Sequence, residues 1–405
     1  MKLTKYKSAI ILPLKESYTN KGFGAVSIWV KDFIQNSKMN NDVIFCKKII
    51  NQKNYLTKSV YPIKVVKKFF TNSNYIKKIN KELVKKEFQI VEIHNRPEYA
   101  IYLIKNNPNL KVNLIFHNDP NTIRYSNSKK YKKFLLENCN KIIFVSRWVK
   151  KRFFFDLNYN HKNNVSIVYN FIKPIKKFPV KSKTIIFSGK LNKSKGFHIF
   201  GKTIVKILNK YKDWNAVVYG NEQREKFEFT HPNLKINNWI SHKKLLKHFE
   251  KSSISVVNPT WDEPFGRTAL ESASRGCAVI TSKSGGLSET FNNNLILKKN
   301  NEKELFNLLV NLIEDRSSLL KIQKKNFKNL IHYPEKSISK LNSFRINFHN
   351  KISKKKNTFK IIHISNFGLK SNFRLFNLSI SKKISNGLIR NGHDVVNFDY
   401  RNHNV

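Results

Sequence analysis

The chain reads as an α/β protein with two doubly wound parallel-sheet domains facing a cleft, followed by an incomplete third βαβ segment. Three observations predict this. Short runs rich in Ile, Val and Phe recur without polar alternation, as in strands covered on both faces. Helix-like stretches separate these runs. The alternation stops at one Pro- and Lys-rich connector and then starts again.

Ala9–Leu14 is the first expected strand, followed by a glycine-bearing loop and an amphipathic stretch over Ala25–Gln35. Strands Asp42–Cys46, Ile90–Ile93, Val112–Phe116, Lys141–Val145 and Val165–Tyr169 complete a first domain over residues 1–172. Residues 173–183 (KPIKKFPVKSK) read as a linker. The second domain, 184–343, holds strands Thr184–Ser188, Asn215–Tyr219, Ile254–Val257 and Ala278–Thr281. Its helices are expected at Gly196–Asn209, Arg267–Ser274 and Glu302–Glu314. Residues 344–358 are polar and basic and read as a second linker. The last stretch, 359–405, repeats the opening plan with strand Phe359–Ser365, helix Leu375–Arg390 and strand Asp394–Phe398. Two strands bury too little to stand alone, so this segment reads as the start or remnant of a further α/β domain.

Composition narrows the function classes. The 405 residues are 40% hydrophobic and 13% aromatic, enough for buried cores and against a wholly disordered chain. No apolar run reaches the ~18 residues of a membrane span. The basic start Met1–Tyr6 leads into an apolar run that ends at Lys15-Glu16, which does not read as a signal peptide. Cys46, Cys139 and Cys277 lie far apart, so neither a disulfide framework nor a zinc site is expected, and a reducing cytoplasm fits. The net charge of +51 suits polyanionic partners such as nucleic acid, nucleotide phosphates or an anionic membrane face. The plain alternative is a solvated Lys coat, since the lysines spread along the whole chain, which is rich in Asn and Ile as an AT-rich genome would make it.

Ligands of doubly wound sheets bind outside the carboxyl ends of the strands, and four features are expected there. The first is Glu263-Pro264-Phe265-Gly266-Arg267-Thr268-Ala269-Leu270-Glu271, which follows a strand and opens a helix. Gly266 permits close backbone approach, and the first N–H groups of the helix make an anion site. Glu271 can accept hydrogen bonds from a diol. Helical rise puts residues eight apart at about 12 Å, too far for paired acid–base hydrolysis of a glycoside. The second feature is Gly189-Lys190 with Lys195-Gly196 after a strand, where two Lys can neutralise a diphosphate although the loop is not a Walker A motif. The third is Gly22-Phe23-Gly24, a short candidate phosphate or acceptor loop, and the fourth is His117 at the end of a strand. Each has a structural alternative: a capped helix, surface lysines, an ordinary turn, a packed histidine.

Taken together the four resemble the family 4 glycosyltransferases of the GT-B fold. The residues that carry the resemblance are Glu263 and Glu271 in EPFGRTALE, Gly285-Gly286 with Glu289, the Gly189-Lys190…Lys195-Gly196 loop and His117. Val91–Pro97 (VEIHNRP) is similar to members that build lipopolysaccharide and other surface polysaccharides. The resemblance spans about residues 8–335. It implies that Glu263 contacts the donor sugar and that backbone at Phe265, Gly266, Arg267 and Thr268 holds the donor near its phosphates. It further implies that Glu271 binds the ribose diol, that Lys190 and Lys195 neutralise the leaving diphosphate in place of a metal, and that His117 lies near the reacting sugar. Gly22 and Gly24 would let a phosphate or the acceptor approach. Many relatives carry Arg where Lys190 stands, and Lys lacks the bidentate fork. The family is a retaining one, and no metal or other cofactor is expected. The stretch GLIRNGHDVVNFDYR resembles the opening of glycosyltransferases related to spore-coat CgeB-like proteins.

The reading is therefore transfer from a UDP- or GDP-sugar to a cell-surface glycan or lipid-linked acceptor. The basic–aromatic runs Lys67–Phe70 and Lys150–Phe155 would hold the protein peripherally at an anionic inner membrane face, the alternative being helices with Phe inward and Lys outward. Two other readings stay open: a basic nucleic-acid-binding protein, although no nucleic-acid module is found, and a family member that binds sugar nucleotides without turnover.

Overall fold

The computed structural model describes residues 8–19, 24–37, 42–49, 54–64, 71–157, 163–292, 295–329, 331–346, 359–367 and 380–400. The first domain runs β1 (Ser8–Ile11), α1 (Ala25–Asn36), β2 (Asp42–Lys47), β3 (Val60–Ile63), α2 (Asn72–Lys85), β4 (Ile90–His94), α3 (Pro97–Asn106), β5 (Lys111–Phe116), α4 (Lys129–Asn138), β6 (Lys141–Phe144), α5 (Arg147–Phe154) and β7 (Val165–Ile167). Its parallel strands lie in the order β3-β2-β1-β4-β5-β6-β7. Ala9 and Ile11 of β1 face one core with Val91, Ile93 and Phe45, while Ile10 and Leu12 face the other with Ile44, Ile115 and Ile143. A strand buried on both sides has no need of polar alternation, which is why these runs are continuously apolar.

The second domain runs β8 (Ser182–Ser188), α6 (Phe197–Lys210), β9 (Asn215–Tyr219), β10 (Leu234–Asn237), α7 (His242–Lys251), β11 (Ser252–Val257), α8 (Arg267–Ser274), β12 (Ala278–Ser282), β13 (Ile296–Leu297), α9 (Glu302–Glu314) and α10 (Arg316–Lys328). Its parallel order is β10-β9-β8-β11-β12-β13. Helices α8 and α9 have the bounds read from the sequence, because caps mark them: Gly266 precedes the first, and the Asn301 side chain accepts from the Glu304 amide of the second.

Three strands escape the sequence reading. β3 contains Pro62, which cannot donate to a ladder; it is tolerated because β3 is an edge strand. β10 is a polar edge strand and β13 has only two residues.

The expected boundary near residue 343 needs correction. Helix α11 (Pro334–Ile346) leaves the second domain and returns to the first, where Ile338 and Leu341 join the core beneath α1. Residues 344–346, expected to open a linker, form its last turn. Arg345 is 2% exposed and holds two buried carboxylates, donating to Glu92 Oε1 at 2.8 Å and to Asp42 at 2.7 and 2.8 Å. In sequence it looks like one more surface cation; burial between two acids is what places it.

The final unit runs β14 (Lys360–Ser365), α12 (Ile380–Arg390) and β15 (Asp394–Asp399), with the strands parallel as expected. It joins neither larger sheet. It docks on the first domain through the Asn386 amide to Lys105 O at 3.1 Å, and through Arg390 to Asn138 at 2.9 Å and Ile104 O at 3.1 Å.

Candidate active site

In both sheets the strand order reverses beside the first strand, next to β4 and next to β11, and the loops leaving these strands meet across the interdomain crevice. Two adjoining hollows of about 860 and 430 Å³ occupy it, sharing Ala25, Lys190, Lys195, Glu263, Gly266 and Arg267.

The loop between β11 and α8 forms the floor. Gly266 takes φ +95°, a left-handed turn that a side chain would strain, and so brings the first amides of α8 to the crevice. Gly285, at φ +56°, lies against the Glu263 backbone with no room for a Cβ, and the Gly286 amide donates to Glu263 O at 2.7 Å. From the first domain, Ser146 Oγ donates to Pro264 O at 2.6 Å. The Phe265 ring is buried in the first domain's core, with ring centres 6.1 Å from Tyr169 and 5.4 Å from His332, which leaves its backbone for the site.

The two Glu of this element do different work. Glu263 accepts from Lys195 Nζ at 2.6 Å and from the Trp261 indole at 3.1 Å, and the Lys195 ammonium lies 4.8 Å from that ring centre. Glu271 is buried, accepting from Arg267 Nε at 2.6 Å and contacting His242 Nε2 at 2.8 Å. Burial alone would raise its carboxyl; His242 and Arg267 outweigh burial and bring it down to about 2. It is an acceptor at neutral pH and cannot supply a proton. Arg267 also donates to Asp32 on α1, so the guanidinium ties the two domains together.

Lys190 is exposed to the crevice at the end of β8. The side chain of Asn192 accepts from the Lys195 amide at 3.0 Å and fixes the turn that carries Lys195. His117 follows β5 and lines the crevice from the other domain. Its backbone amide donates to Asn95 Oδ1 at 2.7 Å. Burial lowers its pKa, and neighbouring His94 and then Arg267 add to that.

His117, Gly24, Lys190, Lys195, Glu263, Phe265, Gly266, Arg267, Thr268 and Glu271 thus line one crevice. Gly22 and Phe23 lie outside the described residues. Gly24 precedes α1, but a carboxylate already stands there: Glu16 Oε1 accepts the Ser27 amide at 3.0 Å. Glu289 lies apart from these groups. It caps α5 across the domain boundary, accepting from the Arg147 and Trp148 amides at 2.8 Å each and from the Tyr169 hydroxyl at 3.1 Å. The sequence reading missed Asp32, His242 and Trp261, and it gave no separate role to His94, which lies inside VEIHNRP. Trp261 sits beside a noticed motif; Asp32 and His242 carry no local signal. Among the described residues no group of three or more His, Cys, Asp or Glu is gathered as a metal ion would need.

This pairing of doubly wound domains about a crevice is the GT-B fold of glycosyltransferases. The crystal structure of HepE from Anabaena in complex with UDP-glucose superposes with a TM-score of 0.62 at 12% identity, covering 86% of this chain and 100% of that one. Residues 168–329, most of the second lobe, match the family described as Glycosyl transferases group 1. YtcC of Bacillus subtilis, whose name calls it a glycosyltransferase, is 23% identical over 248 residues, 53% of this chain and 60% of YtcC. The uncharacterized glycosyltransferase MJ1178 of Methanocaldococcus jannaschii is 26% identical over 313 residues, 72% of this chain and 85% of that protein. The chain thus covers less than two thirds of the length of YtcC.

Proposed function

We propose that this chain is a retaining glycosyltransferase moving a sugar from a UDP- or GDP-linked donor to a hydroxyl of a cell-surface glycan or lipid-linked acceptor. One observation carries the reading: the N-terminus of α8, Lys190 and Lys195 converge in a crevice that His117 enters from the other domain. Amide dipoles and two ammonium groups suit a diphosphate. Glu271, held ionised beside the α8 start, suits a ribose diol; Glu263 and Trp261 suit the sugar. The tying of Glu263 to Lys195 and the low pKa of Glu271 argue against a glycosidase acid–base pair.

In the proposed reaction the bond between the anomeric carbon and the diphosphate oxygen breaks as the acceptor oxygen bonds to that carbon from the same face. The leaving diphosphate takes the acceptor's proton. Lys190, Lys195 and the α8 amides stabilise the charge that grows on the diphosphate, without a metal. Closure of the two lobes keeps water out.

The three cysteines, buried and unpaired, support action in the cytoplasm. Among the described residues no helix is long and apolar enough to cross a membrane. On α5, Phe153 is buried, while Lys151 and the following Phe155, 76% exposed, face outward and support peripheral contact with an anionic membrane face. Residues 67–70 lie outside the described residues.

A thermal-shift and calorimetry panel of UDP- and GDP-sugars tests the proposal. At least one is expected to stabilise the protein, with affinity falling about tenfold or more in Lys195→Ala. Absence of binding by every nucleotide-sugar, or unchanged affinity in that variant, sinks it; binding without donor hydrolysis or transfer makes the chain a non-catalytic member.

A further inference from the structure

We propose that His94 is a positioning residue that sets the tautomer of His117, so that His117 presents an N–H donor at Nδ1 to the crevice. The use made of that donor rests on the sugar-transfer reading above; the tautomer rests on geometry alone. His94 ends β4 and is fully buried, and His117 follows the adjacent β5. Their rings stack with centres 5.1 Å apart and planes 22° apart, and His94 Nδ1 lies 2.8 Å from His117 Nε2.

One proton occupies that contact, and the surroundings decide whose it is. If His117 donated it, His94 would carry its own proton on Nε2. That nitrogen is buried with no hydrogen-bond partner. The indole packed on this ring and the guanidinium near it are both donors. The Trp29 indole N–H is likewise buried without an acceptor, and its ring stands edge-on to both imidazoles at 5.3 Å. Arg345 presses its positive charge on His94, adding to the effect of burial in holding that ring neutral. A buried N–H among donors loses its solvation with nothing in return, whereas a bare lone pair is favoured by neighbouring positive charge.

The shared proton therefore belongs to His94 Nδ1, and His117 Nε2 accepts it. His117 carries its remaining proton on Nδ1, at the other side of the ring, facing the crevice that His117 lines. A neutral imidazole so arranged donates to a sugar hydroxyl or ring oxygen. It does not act as a general base.

Two-bond ¹H–¹⁵N correlation spectra of the ¹⁵N-labelled full chain read this tautomer directly, with His117 assigned by its loss in His117→Gln. The expected wild-type spectrum shows a protonated Nδ1 and a bare Nε2 for His117. His94→Asp replaces the donor by an acceptor and is expected to place a proton on His117 Nε2. His94→Asn keeps a donor near the Nδ1 position and is expected to retain the wild-type tautomer. With the nucleotide-sugar selected by the panel above, kcat falls about tenfold in His94→Asp and recovers in His94→Asn, while KM stays within about twofold in both. A protonated Nε2 in wild type overturns the proposal, as does a bare His117 Nε2 in His94→Asp. If His94→Asp does not fold, the wild-type and His94→Asn spectra decide. The stated tautomer in a protein that turns over no nucleotide-sugar upholds the positioning claim and overturns the transfer reading.

Discussion

Replacing Glu271 by Gln removes a charge while keeping the shape of a buried side chain. Arg267 and His242 then lose their ionic acceptor, and donor affinity is expected to fall about tenfold or more by calorimetry, with a loss of stability of about 1–3 kcal/mol. On the proposed reading, in which Glu263 meets the sugar, Glu263→Gln is expected to lower kcat more than it raises KM, measured by donor turnover. The pH response follows from the same groups. Glu271 drops from an ordinary 4.5 to about 2, so its contribution is complete above pH 4.5 and disappears as pH falls toward 2. His94 drops from 6.5 to about 3, held neutral by burial and then by Arg345. An unfolded chain takes up that proton near pH 6.5 while the folded chain does not, so stability declines in two stages, first below 6.5 and further below 4.5. Urea midpoints across pH 3–8 check the sequence of losses, and a His94→Phe protein should lack the first stage's His94 share.

Among the elements, two helices act across the domain boundary. α8 carries Arg267 to Asp32 on α1, a residue of the opposite lobe. α11 carries Arg345 to Asp42 at the start of β2 and to Glu92 in the middle of β4. Arg345→Met leaves two buried carboxylates facing each other without a cation, and stability is expected to fall by about 3–5 kcal/mol in urea denaturation. Adding Asp42→Asn and Glu92→Gln should recover much of that loss, because the cost lies in the uncompensated charge. The helix bounds themselves were legible where the chain marks them. Gly266 before α8 and Asn301 before α9 announce the turns that start those helices. α11 was not legible as a part of the first domain, since Ile338, Leu341 and Arg345 show an ordinary helical spacing and nothing in that spacing names the surface they meet.

On the scale of the whole molecule, the C-terminal βαβ unit touches the carboxyl ends of α3 and α4. In a doubly wound domain those ends lie at the amino ends of the strands, on the rim opposite the crevice. Removal of residues 359–405 is therefore expected to leave nucleotide-sugar affinity within about twofold, as surface changes far from a site usually do, and calorimetry on the shortened chain checks it. The charge of +51 belongs to this scale too. Most of it lies on exposed Lys, so binding to DNA should weaken steeply with salt while a donor gripped by Lys195 and the α8 amides keeps more of its affinity.

Read alone, the chain showed the repeated α/β plan, the crevice between its halves and the charged groups Lys190, Lys195, Glu263, Arg267 and Glu271 that line it. Those properties depend on local spacing: continuous apolar runs make buried parallel strands, and a glycine before a helix aims its first amides at whatever lies beyond the strand ends. Tertiary structure alone decided the partners: Asp32 for Arg267, His242 for Glu271, His94 for His117, Arg345 for Asp42 and Glu92. Each pair joins residues at least 23 positions apart, and in this chain every Lys, Arg, Asp and Glu is locally as good as its neighbours. Only burial distinguishes them, because a charge or an imidazole taken out of water must find its complement in the fold.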